Sequence, residues 1–117
     1  MNTTPTLAEG EIHVASIQIA GQAPYYLILL PGDAENLDHE AATAWAAEQG
    51  GTLPNRYEQA ILFAQQRDQF KRDWYWSDTP HESDEAYAWC QTFDFGTQYD
   101  FNRSYHLRAR AVRRLPI

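Results

Sequence analysis

Cysteine is almost missing from this chain. Cys90 stands alone among 117 residues, so no internal disulfide can form, and this usage fits a reducing compartment. Long apolar runs are missing too. The longest, Tyr25-Tyr26-Leu27-Ile28-Leu29-Leu30, is far too short for a bilayer-spanning helix. The opening Met1-Asn2-Thr3-Thr4-Pro5-Thr6 has neither the basic region nor the apolar stretch of a signal peptide. Basic residues are scarce over most of the length: residues 1–102 carry 16 acids and 4 bases. With a net charge of -7, nonspecific nucleic-acid binding is disfavoured, and solubility or a basic protein partner is favoured. These absences predict a protein that is cytoplasmic in a bacterial host or virion-associated, contacting neither membrane nor nucleic acid directly.

Signatures of catalysis and of cofactors are equally thin. His13, His39, His81 and His106 are scattered, and no pair has the spacing of a zinc site. Asp78, Glu82, Asp84 and Glu85 offer oxygens to a hard cation, but without the order of a calcium loop they read as a solvated acidic loop. Gly50-Gly51 reads as a helix stop, since no Walker or Rossmann loop surrounds it. Cys90 lies mid-strand between small residues and reads as a buried small hydrophobe. Ser77 and His81 are close in sequence, and a hydrolase built on them and a loop carboxylate is the enzymatic alternative. No nucleophile elbow accompanies them. No catalytic residue, metal site or cofactor is assigned, and the chain reads as a non-enzyme.

What the chain does have is enough apolar and aromatic content for a core: 44% hydrophobic and 14% aromatic residues. That suits one globular domain of this length. Residues 1–10 read as a flexible arm and 11–117 as a single domain. Glu11–Ile19 reads as a strand whose apolar parity changes midway, the mark of a bulge. Gly21-Gln22-Ala23-Pro24 turns it into a second strand, Tyr25–Leu30, apolar on both faces, and Pro31-Gly32-Asp33 ends that strand. A helix follows over 38–49, capped by Asn36 or Asp38, with Ala42, Trp45 and Ala46 inward. Asn55 and Glu58 form a capping-box pattern for a second helix, with Tyr57, Ile61 and Ala64 on its predicted inner side, widened by Leu62.

The distal half alternates. Trp74-Tyr75-Trp76-Ser77 reads as a short strand and 78–85 as a polar loop. From 86 to 95, Tyr87, Trp89, Gln91, Phe93 and Phe95 face one way, and Ala86, Ala88, Cys90, Thr92 and Asp94 the other. Trp89 is expected in the core and Trp76 at the surface. Turns at 96–98 and 102–104 lead to one last strand, with Leu107, Ala109 and Ala111 opposite Arg108 and Arg110. Residues 103–117 hold five arginines and no acid. Arg108 and Arg110 are expected to pair with acids, and Arg103, Arg113 and Arg114 to remain free for a partner. Helices grouped before a distal antiparallel sheet predict an α+β fold.

Four of these segments carry a resemblance. Leu53-Pro54-Asn55-Arg56-Tyr57-Glu58, Trp74-Tyr75-Trp76-Ser77, Tyr87-Ala88-Trp89 and Arg108-Ala109-Arg110-Ala111-Val112-Arg113 follow one another in order over residues 50–114. Together they resemble a lectin-like bacterial and phage domain family of unknown function, which includes the C-terminal domain of a Legionella collagen-like protein. The resemblance implies a C-type-lectin-like fold: N-terminal hairpin, two helices and a twisted distal antiparallel sheet closed by the final strand. It does not imply sugar binding. Together with the lack of a catalytic constellation and the supply of aromatic loop residues, it motivates the expectation of a phage or prophage protein, non-catalytic, that binds a host or phage protein, or a glycan, through distal loops. The calcium motifs and paired disulfides of animal C-type lectins are absent, as is the second cysteine that sulfatase-modifying enzymes need. The expected partner surface is Trp76, Asp78, His81, Glu82, Asp84, Glu85, Tyr99 and Arg103. The alternative reading is an acidic inhibitor that occupies the basic surface of a host nucleic-acid-binding defence protein.

Overall fold

Residues 25–29 and 74–76 form the middle of the molecule because both runs are apolar on both faces. The structure, a computed structural model, describes residues 5–117; residues 1–4 of the expected arm lie outside the described residues. The rest of that arm is tied down where Ala8 Nα donates to Glu11 Oε1 and Arg113 donates to the Thr6 carbonyl.

Strand β1 (Ile12–Ile17) pairs antiparallel with β2 (Tyr25–Leu29), and its register slips between His13 and Ala15. The bulge reconciles two apolar parities with one buried face. On its other side β2 pairs with the last strand, β8 (Val112–Pro116), giving a three-stranded sheet in the order β1-β2-β8.

A second sheet has the order β3-β7-β4-β5-β6. Its members are β3 (Ala34–Leu37), β4 (Trp74–Pro80), β5 (Tyr87–Thr92), β6 (Gln98–Asn102) and β7 (Leu107–Ala109). All its pairings are antiparallel except a single parallel contact of β4 with β7. The protein is thus an α+β domain with two helices, α1 (His39–Glu48) and α2 (Arg56–Gln66).

Three expectations change here. The final strand is not continuous. Ala109, Arg110 and Ala111 mark the crossing between sheets, so β7 serves the large sheet and β8 the small one. Strand β3 follows Gly32 where only a stop was expected; two of its residues, Ala34 and Leu37, pair with β7. β4 runs on to Pro80, which shortens the acidic loop by absorbing Asp78 and Thr79.

Alternation along β2 and β4 creates two cores. Ile28, Leu30 and Trp76 meet Ala42 and Ala46 of α1, whereas Leu27, Leu29 and Tyr75 meet Leu62 of α2. Asp38 caps α1 by accepting from Ala41 Nα at 2.8 Å. Gly50 ends it at φ +89°, and Gly51 then passes so close to β8 that a Cβ there would overlap the Val112 carbonyl. That contact lets Thr52 and Val112 exchange two backbone hydrogen bonds, of 2.9 and 2.8 Å.

The capping box of α2 is present, with Asn55 and Glu58 bonding each other's backbone amides. Its inner face differs from the predicted one. Tyr57 is 72% exposed and Ala64 is exposed, while Glu58, Gln59 and Leu62 are buried. Apolar periodicity failed because the helix buries polar side chains that have partners. Glu58 accepts two 2.7 Å bonds from Arg114 and one of 2.6 Å from the Tyr25 hydroxyl.

The arginines of the chain end are likewise committed. Arg114 holds Glu58, and Arg113 holds Glu11 through two bonds of 2.9 Å, so neither is free as expected. Arg108 pairs with Asp33, Glu35 and Asp73, as its pattern predicted. Arg110 has no acid partner; it donates to the Leu30 and Gln69 carbonyls.

Candidate recognition site

The outer end of the large sheet, β5-β6 with the 81–86 loop, presents two unlike faces. Register sets their composition: Trp89 lies opposite Asp100 and Gln91 opposite Gln98, while Ala88 lies opposite Phe101 and Cys90 opposite Tyr99. Successive residues point to opposite faces of a strand. One face is therefore polar around a single indole, and the other is aromatic.

On the polar face Trp89 is half-buried, not core. The Arg56 guanidinium sits 3.6 Å from the centre of its ring, and the His81 ring lies parallel to it at 6.0 Å. Its indole Nε1 donates to Glu82 at 3.1 Å. The Glu82 carboxyl is held below the usual range by its own backbone amide and by that indole. His81 Nδ1 accepts from the Ser83 and Asp84 amides, both at 3.1 Å, so its proton sits on Nε2, 3.3 Å from Asp100. The Ser83 and Asp84 amides thus fold the acidic loop around one imidazole.

Small residues explain why the tryptophans exchanged places. Trp76 is fully buried, opposite Cys90 across the sheet and clustered with Ala42, Ala46, Ala88, Ala109 and Ala111. The small side chains of that face accommodate the Trp76 indole. Trp76 Nε1 also finds an acceptor there, the Leu37 carbonyl at 2.9 Å. The expectation of a surface Trp76 and a core Trp89 is reversed.

On the aromatic face Phe101 is the hub. Trp74, Tyr99 and Tyr105 pack on it with ring centroids 5.1, 5.6 and 5.4 Å away. Tyr99 and Tyr105 remain 56% and 55% exposed. Cys90 lies beneath this face, buried, its thiol pushed up to about 12 chiefly by burial and secondarily by Asp100.

The structure brings His81, Glu82 and Asp84 together around Trp89. Asp84 itself accepts from Ala86 Nα at 3.0 Å, and Glu85 is exposed beside it. Tyr99 projects from the opposite face. Asp78 and Arg103 lie elsewhere, in a groove of about 890 Å³ along α1 with Asp38, His39 and Thr43. There, burial raises the Asp78 carboxyl and lowers His39, whose Nε2–H donates to the Ser77 carbonyl at 2.9 Å. Arg103 donates to the Tyr87 carbonyl at 3.4 Å.

Ser77 and His81 are not joined. The buried Ser77 hydroxyl donates to the Trp89 carbonyl at 2.6 Å and accepts from Thr79 Nα. Among the described residues, no three of His, Cys, Asp and Glu are grouped as metal ligands. No helix there is long and apolar enough to cross a membrane.

Arg56, Phe101 and Tyr105 were missed by sequence reasoning. The alternation Gln98-Tyr99-Asp100-Phe101-Asn102 carries the signal for Phe101, because it separates an aromatic face from a polar one. Nothing local announces that Arg56, on α2, covers Trp89. No protein-family model matches the chain, and no curated protein matches it in sequence.

Proposed function

We propose that this is a non-catalytic recognition protein of phage or prophage origin, built on a C-type-lectin-like frame, that binds a protein or a glycan through the outer end of its large sheet. The observation that carries the reading is the aromatic row of Tyr99 and Phe101 on the outermost strand and Tyr105 in the turn beyond it, with Tyr99 and Tyr105 exposed around a half-buried Phe101 and the Trp89–Arg56–His81 cluster on the reverse face. Exposed aromatics at a rigid site supply contact area at little entropic cost. The frame is supported by the order of the four family-like segments and by β8 closing against the N-terminal hairpin. The test is a glycan array and affinity capture from host lysate, using the wild type and a Tyr99→Ala, Tyr105→Ala double variant. Saturable binding to one class, weakened by the double variant at unchanged melting temperature, is the expected result. Binding equal in both proteins would remove the aromatic row from the reading.

A second reading, the acidic inhibitor, is favoured by the fate of the arginines. Arg108, Arg113 and Arg114 are neutralised internally, and exposed acids such as Glu40, Glu48, Glu85 and Asp94 make no salt bridge among the described residues. Such a protein lowers DNA or RNA binding by a basic host protein, and reversing Asp84 and Glu85 weakens that effect and its salt dependence.

A further inference from the structure

We infer that the free edge of β6 accepts an extended peptide segment as an added antiparallel strand, and that the segment alternates apolar and basic side chains. The inference rests on the recognition reading above and names the partner chemistry of that site.

The backbone supplies the first argument. β6 is the last strand of the large sheet and, among the described residues, pairs with β5 alone. Thr92 Nα donates to the Thr97 carbonyl and Arg103 Nα to the Ala86 carbonyl, at the two ends of the β5-β6 ladder. With the constant register between them, residues 99 and 101 face β5, because hydrogen-bonded and non-bonded pairs alternate in an antiparallel ladder. The N–H and C=O groups of Gln98 and Asp100 therefore face outward. Asn102 presents its N–H alone, since its carbonyl accepts from Tyr105 Nα at 3.0 Å.

An edge of this kind is a template for pairing unless something blocks it. β6 has no proline, no lysine and no bulge in its register, and its one charged side chain, Asp100, repels an acidic strand while leaving the edge open to a basic one.

Side chains supply the second argument. A strand laid beside β6 places alternate residues against Tyr99, Phe101 and Tyr105 on one face, which suits apolar groups. Its remaining residues fall beside Gln98 and Asp100 on the other, with Glu82 one strand further in. That face carries two carboxylates, Asp100 (3.3 Å from His81 Nε2) and the exposed Glu82, against one guanidinium, that of Arg56, which lies over the Trp89 ring and donates to the Gln98 side chain at 2.9 Å. The excess of carboxylate suits lysine or arginine, and backbone pairing with alternating side-chain pockets is a known mode of peptide recognition. A second copy of the chain is the poorer occupant. Two-fold pairing of β6 centred on residue 100 sets Asp100 against its own copy, between molecules of charge -7.

The experiment measures binding of the full chain to a short fluorescein-labelled peptide of alternating valine and lysine by fluorescence anisotropy. Two further peptides carry N-methyl groups on the lysine amides or on the valine amides. In antiparallel pairing the residues opposite Gln98 and Asp100 turn their N–H groups to β6, so methylating the lysines should weaken binding at least about tenfold, and methylating the valines should not. Asp100→Lys should weaken binding of the unmodified peptide by a similar factor, and Asp100→Asn by less, with melting temperatures confirming that both variants fold. Equal affinity of the two methylated peptides overturns strand addition, even if the glycan or lysate captures succeed. Absence of saturable peptide binding, or sedimentation showing a dimer that Asp100→Lys dissolves, overturns it as well.

Discussion

The two tryptophans Trp76 and Trp89 differ in what their neighbours leave open. Trp76 fills space among alanines and Cys90, so Trp76→Ala should cost about 3–5 kcal/mol, most of the stability of a small domain. Trp89 rests between Arg56, His81 and Glu82 on a half-exposed face. Its truncation should cost only about 1–2 kcal/mol. Thermal melts of the two variants side by side decide this; equal losses would contradict the placement. Cys90 should be inert in the folded state, since burial and Asp100 push its thiol up to about 12. Iodoacetamide should modify it only after denaturation, and rapid labelling of the native protein would show the site to be open.

At the scale of elements, α2 is held less by an apolar stripe than by one buried carboxylate. Burial alone would raise the Glu58 carboxyl; Arg114, Tyr25 and the Asn55 amide reverse this and hold it below the usual 4.5. A depressed folded pKa adds stability that is present above the unfolded value and lost as pH falls through the folded one. Melting temperature should therefore drop as the solution is acidified below about pH 4.5, and Glu58→Gln should flatten that dependence while lowering stability at neutral pH. Circular dichroism melts across the acid range measure both. The two glycines after α1 should separate in the same assay. Gly50 needs its positive φ but has open space around it, so Gly50→Asn should cost under about 1 kcal/mol. Gly51→Ala meets the Val112 carbonyl and must push β8 away, so it should cost several times more.

Over the whole molecule, the chain end is what joins the two sheets. β8 pairs along all of β2, places Val112 in the α2-side core, bonds Thr52 and supplies both Arg113 and Arg114. A chain truncated before Val112 loses these together and leaves Glu58 and Glu11 without their arginine partners. Its far-UV dichroism and amide NMR dispersion should be those of an unfolded protein. A dispersed spectrum from that truncation would mean that the large sheet and α1 fold without closure.

Local chemistry alone made the element order legible except for β3 and the break between β7 and β8. Turn residues, the Asn55–Glu58 capping box, the parity slip in β1 and the two-faced apolar run of β2 are each read within a few residues, and the structure has all of them. Which face of β5 turns inward was not local. Both faces of Tyr87–Thr92 are plausible cores, and the choice fell to whichever could receive the Trp76 indole, which lies on another strand. Burial of Glu58 and Gln59 on α2 was hidden for the same reason, because a polar residue becomes a core residue only when a distant partner such as Arg114 reaches it. The partner surface followed suit. His81, Glu82 and Asp84 were legible as one loop, but their gathering around Trp89 under Arg56, and the open edge at Asp100, exist only once the strands are ordered in space.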